Sequence, residues 1–223
     1  MTIEIPSDAS VPKVVVSRLS LYLRELQRLE SAGQQTISSS QLGTLLGFSD
    51  AQVRKDLGCF GQFGYPGVGY RCDELILAIR DILGTNRSWP VVMVGAGNLG
   101  QALLGYRGFC RQNFSIEAVF DSDPLKIGQT IQGICIQHID KLPEVLQAKG
   151  IRLGMIVVPV DQAQTVADKL LAAGIEGIVN FAPITLTLPS RVQQVSVDLA
   201  IELEQLSFAL TNKLAKDLSE SQS

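Results

Sequence analysis

The sequence predicts a two-part α/β chain: a helix-turn-helix unit carrying a glycine-rich wing, then a doubly wound parallel sheet followed by one terminal helix. Three observations carry that prediction. Apolar residues recur at helical spacing in the first third, a strand–glycine–helix junction follows residues 86–88, and apolar strands then alternate with helical segments. The 223 residues are 46% hydrophobic, enough for two cores. The formal charge of -3 argues against a protein that coats polyanions, yet Ser10 to Cys72 holds 7 Lys/Arg against 4 Asp/Glu, or +3. Cys59, Cys72, Cys110 and Cys135 form no C-x-x-C pair, and with 1 histidine in the chain a Cys/His metal site is not expected. They read as reduced thiols. The start of the chain lacks a basic segment followed by an apolar run, and no apolar stretch reaches the ~20 residues that span a bilayer, so a cytoplasmic location is expected.

Residues 1–10 are polar, contain Pro6 and read as a loose leader. From Lys13 to about Ser31, Val15, Leu19, Leu23 and Leu26 share one helical face, and Gly33 ends the run. Ser38 with Gln41 has capping-box form; it opens a short helix through Leu42, Leu45 and Leu46 that Gly47 closes. Ser49 and Gln52 repeat the device and open a third helix that turns Val53, Leu57 and Phe60 inward. The two helices, joined through Gly47, Phe48 and Ser49, make a helix-turn-helix. Gln52, Arg54, Lys55 and Asp56 then fall on or near its outer side, where amide and guanidinium groups can meet base edges or phosphates in a major groove. Gly61, Gly64, Gly67 and Gly69 let residues 61–70 fold as a tight hairpin beside that helix, the outline of a wing. Asp56 sits uneasily beside phosphates unless a neighbouring cation or a cytosine amino group takes it.

After Asn86-Arg87-Ser88 the pattern changes. The strand from Pro90 to Val94 runs into Gly95-Ala96-Gly97-Asn98-Leu99-Gly100 and a helix, the dinucleotide fingerprint in its required context. Gly95 makes the tight turn, Gly97 admits the pyrophosphate to the backbone, and Gly100 allows close helix-to-sheet packing. A second strand, IEAVFD, ends in Asp121, 21 residues after Gly100, where a carboxylate can accept from ribose hydroxyls. Ser122 and Asp123 follow it in place of an arginine, which favours NADH/NAD+ over a 2'-phosphorylated nucleotide. An apolar run near Ile134, a helix from Leu142 to Lys149, the strand LGMIVVPV, the helix DQAQTVADKLLAAG and the strand GIVNFAPI complete a Rossmann-like alternation. Strand ends face the crevice in such sheets, so Pro159 and Asn180 to Pro183 are candidates for the nicotinamide side. His138, in a polar loop, has Asp140 as its nearest carboxylate, and no substrate domain is left over, so no catalytic residue is assigned. In the terminal helix, from about Asp198 to Leu214, Leu199, Leu203, Leu206 and Leu210 share one face while Ile201 and Phe208 lie nearly opposite. Two apolar faces fit either an arm exchanged between the subunits of a dimer or a helix wedged between the domains of one chain. The domains read as 1–85, 86–197 and 198–223.

Together SDAQVRKDLGCFGQFGYPGVGY, VGAGNLGQALLGYRGF, VFDSDP, NFAP and VSVDLAIELEQL resemble the redox-sensing transcriptional repressor family Rex over roughly Lys13 to Leu214. The resemblance implies an N-terminal winged helix, a Rossmann domain and a swapped C-terminal helix in a homodimer that binds operator DNA when NADH is scarce and leaves it when NADH binds. It implies DNA contacts from Ser49, Gln52, Arg54 and Lys55 on the helix, and from Phe63, Gly64, Tyr65, Gly67 and Tyr70 in the wing. Gly95, Gly97, Asn98, Leu99, Gly100 and Asp121 would hold the dinucleotide, with Tyr106 and Pro159 nearby. Arg18, Tyr106 and Asp198 match positions implicated in a contact switch. The wing departs from many relatives in carrying Tyr65-Pro66 where they have a basic residue suited to a narrow minor groove. An NAD-dependent oxidoreductase and a CoA-binding Rossmann subunit are the alternatives; neither accounts for Ser49 to Tyr70.

Overall fold

A computed structural model describes residues 11–220, with side chains from 11 to 213; the expected leader, 1–10, lies outside them. The chain divides into two compact units, 1–88 and 89–223. In the first, helix α1 (Lys13–Ser31) buries Val15, Leu19, Leu23 and Leu26, as its spacing predicts, and also Tyr22. Strand β1 (Thr36–Ile37) leads to α2 (Ser39–Leu46), where Ser38 and Gln41 form the full capping box and Gly47 adopts the left-handed cap at φ 76°. Of the leucines expected inside α2, Leu42 is buried but Leu45 is exposed, because two turns offer the core too narrow a stripe for both. Helix α3 (Asp50–Gly58) packs Val53 and Leu57 into the same core. Strand β2 (Tyr70–Arg71) pairs antiparallel with β1, and α4 (Cys72–Ile82), a helix the sequence reading passed over, closes the core with Leu75, Ile76 and Ile79.

The second unit begins with β3 (Trp89–Val94), α5 (Asn98–Leu104), the single turn α6 (Gly108–Arg111) and β4 (Phe114–Asp121). A short antiparallel pair follows, β5 (Thr130–Ile131) with β6 (Ile134–His138), then α7 (Leu142–Lys149), β7 (Leu153–Ile156), α8 (Val160–Ala172), β8 (Gly177–Asn180) and β9 (Gln193–Ser196). The chain's last described element is α9 (Leu199–Glu220). The sheet order is β5-β6-β4-β3-β7-β8-β9, parallel throughout except at β5. Both faces are covered: Val92 and Val94 enter one apolar cluster with Leu146 and Leu170, and Val91 and Met93 enter another with Val119 and Ile136. That two-sided burial is why the strands read as apolar runs. Chain order reverses about β3, which has β4 on one side and β7 on the other, and a doubly wound sheet opens its ligand crevice at such a reversal.

Candidate functional site

Ser49 caps α3 by accepting from the Gln52 amide at 3.1 Å. The second half of the expected capping box is absent, since the Gln52 side chain turns along the helix and donates from Nε2 to Asp56 Oδ1 at 2.7 Å. Asp56 is the main correction to the outer face of this helix: its carboxylate is buried at 1% exposure. It also accepts from Arg18 Nε at 2.5 Å, Arg18 Nη2 at 2.7 Å and the Tyr22 hydroxyl at 2.8 Å, while the Arg18 guanidinium stacks 5.9 Å from the Phe48 ring centroid. Burial alone would push the Asp56 carboxyl up, but the bonds from Arg18, Tyr22 and Gln52 outweigh it and hold it below the ordinary aspartate value. Arg54 and Lys55 stay exposed, with Arg54 Nη1 donating to Asp50 Oδ2 at 2.8 Å and to Ser39 Oγ at 3.0 Å.

The wing is shorter than a regular hairpin. Its ladder is one bridge between Tyr65 and Gly69, whose amides donate to each other's carbonyls at 2.8 and 3.0 Å. Gly69 is held at φ 92° where a Cβ would lie 2.6 Å from the Ile37 carbonyl oxygen, so the wing root packs against the strand before α2 only with glycine there. Tyr65 and Val68 are exposed at the tip, and the Tyr65 hydroxyl donates to Glu74 Oε2 at 3.1 Å.

In the second unit Gly95, Gly97, Asp121, Lys126, Val158 and Pro159 face a cavity of ≈ 520 Å³ at the C-terminal ends of β3, β4 and β7. The glycines divide their tasks visibly. A Cβ on Gly95 would lie 2.1 Å from the Val157 carbonyl oxygen and one on Gly100 2.2 Å from the Gly95 oxygen, whereas a Cβ on Gly97 would meet nothing within 4 Å. Gly97 thus leaves its backbone open to the cavity, as a close-approaching phosphate requires. At the end of β4, the Asp121 carboxylate accepts from the Ala96 amide at 2.9 Å, the Asp123 amide at 3.0 Å and Lys126 Nζ at 3.0 Å. Burial would raise its pKa; those two amides and the ammonium reverse the effect and keep it ionised. A charged acceptor, an open backbone and a void within the usual range for ligand pockets, ~300–1,000 Å³, are what an adenosine diphosphate moiety needs.

Comparison with known proteins matches each half of the chain to a family. The family described as "Putative DNA-binding protein N-terminus" matches residues 10–58, and the CoA binding domain family matches residues 86–184. The redox-sensing transcriptional repressor Rex of Desulfitobacterium hafniense is 45% identical over 92% of this chain and 98% of its own. The chain belongs to the Rex family. Rex of Carboxydothermus hydrogenoformans is 48% identical over 89% of this chain and 95% of its own. Among solved structures, the Rex-family repressor RSP in complex with beta-NAD+ and operator DNA superposes with a TM-score of 0.88 at 34% identity, covering 97% of this chain and 100% of that one. RSP in complex with beta-NADH gives a TM-score of 0.84 at 33% identity, covering 95% of this chain and 100% of that one.

Within this Rex-family chain the expected site residues fall into three groups. Gly95, Gly97, Asp121 and Pro159 come together around the cavity, Gly100 packs α5 behind it, and Asn98 and Leu99 are exposed in the first turn of α5. Ser49, Arg54, Lys55, Gly64, Tyr65 and Gly67 are exposed in the first unit, and Gln52 is half-buried. Tyr70 is a correction, at 8% exposed, and Phe63 is half-buried against the same core, because the wing must anchor its root on apolar side chains. Arg18 is committed to Asp56 inside the first unit, so a switch through Arg18 would have to break a bidentate ion pair. Tyr106 is exposed and meets Phe109 edge-on at 5.1 Å, and Asp198 Oδ1 accepts from the Ala200 amide at the start of α9. Asn180 is fully buried and spends its amide on Ala182 and Ile184, which shapes the NFAP loop and removes it from the nicotinamide candidates. Lys126 and Tyr22 were missed. Lys126 lies in a turn 5 residues past Asp121 and Tyr22 on an apolar helix face, and neither carries a local signal of its partner.

Proposed function

We propose that this chain is a transcriptional repressor that binds palindromic operator DNA when NADH is scarce and is released when NADH enters the crevice of its second unit. One observation carries the reading: a capped helix with exposed Arg54 and Lys55 and a crevice pairing open Gly97 with ionised Asp121 occur in a single chain, related to redox-sensing repressors along nearly its whole length. Arg54 and Lys55 supply phosphate and base contacts in a major groove, and Asp121 receives the adenosine ribose hydroxyls. The nucleotide acts as a ligand and no chemistry is done on it; His138 spends Nδ1 on the Asp140 amide at 3.3 Å, in a loop of its own. The functional unit is a homodimer, built through α9, whose two reading helices address half-sites about 34–36 Å apart.

The mechanism is linkage. NADH and operator favour different arrangements of the two winged helices, and whatever factor NADH imposes on DNA affinity, DNA imposes on NADH affinity. Couplings of ~1–3 kcal/mol change affinity only 5- to 150-fold, so near-complete release demands a larger preference between the two states. The test is anisotropy of a labelled palindromic operator at one salt concentration, titrated with NADH, NAD+, NADPH and CoA. Release by NADH alone is expected. Binding that ignores NADH and NAD+ but responds to CoA would overturn the reading in favour of a CoA-binding module.

A further inference from the structure

Asp56 occupies a costly position for an acid, buried in the last turn of α3, the helix proposed to meet a polyanion. Its partners explain how it is tolerated: Arg18 neutralises it, and Tyr22 and Gln52 complete the shell. The fourth bond has a consequence outside the core. A carboxylate offers acceptors only, so Gln52 can face it with Nε2 and never with Oε1, which would set lone pair against lone pair. The flip of the Gln52 amide is therefore decided from inside the domain. Oε1 accepts nothing from the described residues, and the side chain is half-buried beside the exposed Lys55, on the border between core and groove-facing surface.

We propose that Asp56 is a positioning residue for base recognition, holding Gln52 so that it presents Oε1 as an acceptor to the major groove. This rests on the operator-binding reading above and names what one side chain reads. An acceptor selects a base carrying an amino group, adenine N6 or cytosine N4, and rejects guanine O6 and thymine O4. The second hydrogen on Nε2 remains for adenine N7, so adenine is the expected base. Arg18 and Tyr22 act one step further back, by keeping the carboxylate fixed and charged.

The experiment measures operator affinity for the four base pairs at each half-site position, with the wild-type chain, Gln52→Ala and Asp56→Asn. Wild type is expected to prefer adenine at one position by about 5- to 150-fold, the discrimination of one bidentate contact. Gln52→Ala should erase the preference there and nowhere else. Asp56→Asn, whose amide can donate as well as accept, frees Gln52 to flip and should cut the discrimination at that position at least ~5-fold while NADH affinity holds. Full discrimination in Asp56→Asn, or an unchanged profile in Gln52→Ala, overturns the inference and leaves the repressor reading standing; wild type that binds no palindrome overturns both. Should Asp56→Asn not fold, the wild-type protein decides by NMR of the Gln52 side-chain amide. One proton shifted downfield and slow to exchange is expected, and a freely exchanging amide overturns the inference.

Discussion

At the scale of single residues, buried charge and close backbone contact make the sharpest forecasts. Removing the Asp56 carboxylate leaves Arg18 and Tyr22 facing an apolar gap, so Asp56→Ala should destabilise the first unit by about 3–5 kcal/mol, read as a fall in its thermal midpoint. The same group sets an acid limit. Its folded pKa lies below the unfolded value of ~3.9, so its stabilisation is complete above that value and is lost as pH falls through the folded pKa. Urea midpoints should hold from pH 7 to 5 and drop below about pH 4, less steeply in Asp56→Asn. The glycines separate folding from binding. Gly97→Ala meets nothing within 4 Å and should keep the wild-type melting temperature while weakening NADH at least ~10-fold; Gly95→Ala, at φ 106° and 2.1 Å from a carbonyl oxygen, should lose stability itself. Equal melting losses in both variants would contradict the division.

At the scale of elements, α3 and the wing share the work unequally. The wing from Gly61 to Tyr70 holds no lysine or arginine, and its exposed tip is Tyr65, Pro66 and Val68, so it can add shape contacts but no counterion release. In the proposed reading the charge comes from the exposed Arg54 and Lys55 on α3. Lys55→Ala should reduce the slope of log affinity against log salt by about 1 per reading helix, and Arg54→Ala should abolish operator binding with NADH affinity intact. Tyr65→Ala should leave the salt slope unchanged. Most of these elements were legible in advance. Lys13–Ser31 and Leu142–Lys149 match the predicted helices end to end, because apolar spacing and glycine stops act locally. Helix α4 and strands β1, β5 and β9 were not; β1 and β9 are only two and four residues long and become strands by pairing with β2 and β8, which are remote in sequence.

At the scale of the molecule, α9 poses the question of assembly. Leu203, Leu206 and Leu210 on one face and Ile201 and Phe208 on the other are all exposed, Phe208 at 71%, so the second unit, to which α9 belongs, covers neither face. A second copy is the occupant proposed above. Full-length protein should sediment at twice the 24.1 kDa chain mass, and a chain ending at Val197 should sediment as a monomer with strongly reduced operator affinity, because half-sites are then read one at a time. A full-length monomer that still releases DNA on adding NADH would contradict the dimeric switch.

What the sequence determined by itself is whatever depends on neighbours within a turn or two: the capped helix pair, the glycine junction, the acid ending the second strand, and the two-faced terminal helix. Those signals are local because hydrogen bonding and backbone freedom are decided within a few residues. Tertiary structure alone decided the fate of polar groups whose partners are remote. Asp56 looked solvent-facing until Arg18, 38 residues away, came to meet it; Tyr70 looked like a wing contact until it entered the core; Lys126 acquired a role only where its turn closes on Asp121. The sign of a buried charge's contribution depends on what folding brings beside it, and helical or strand periodicity holds no record of that.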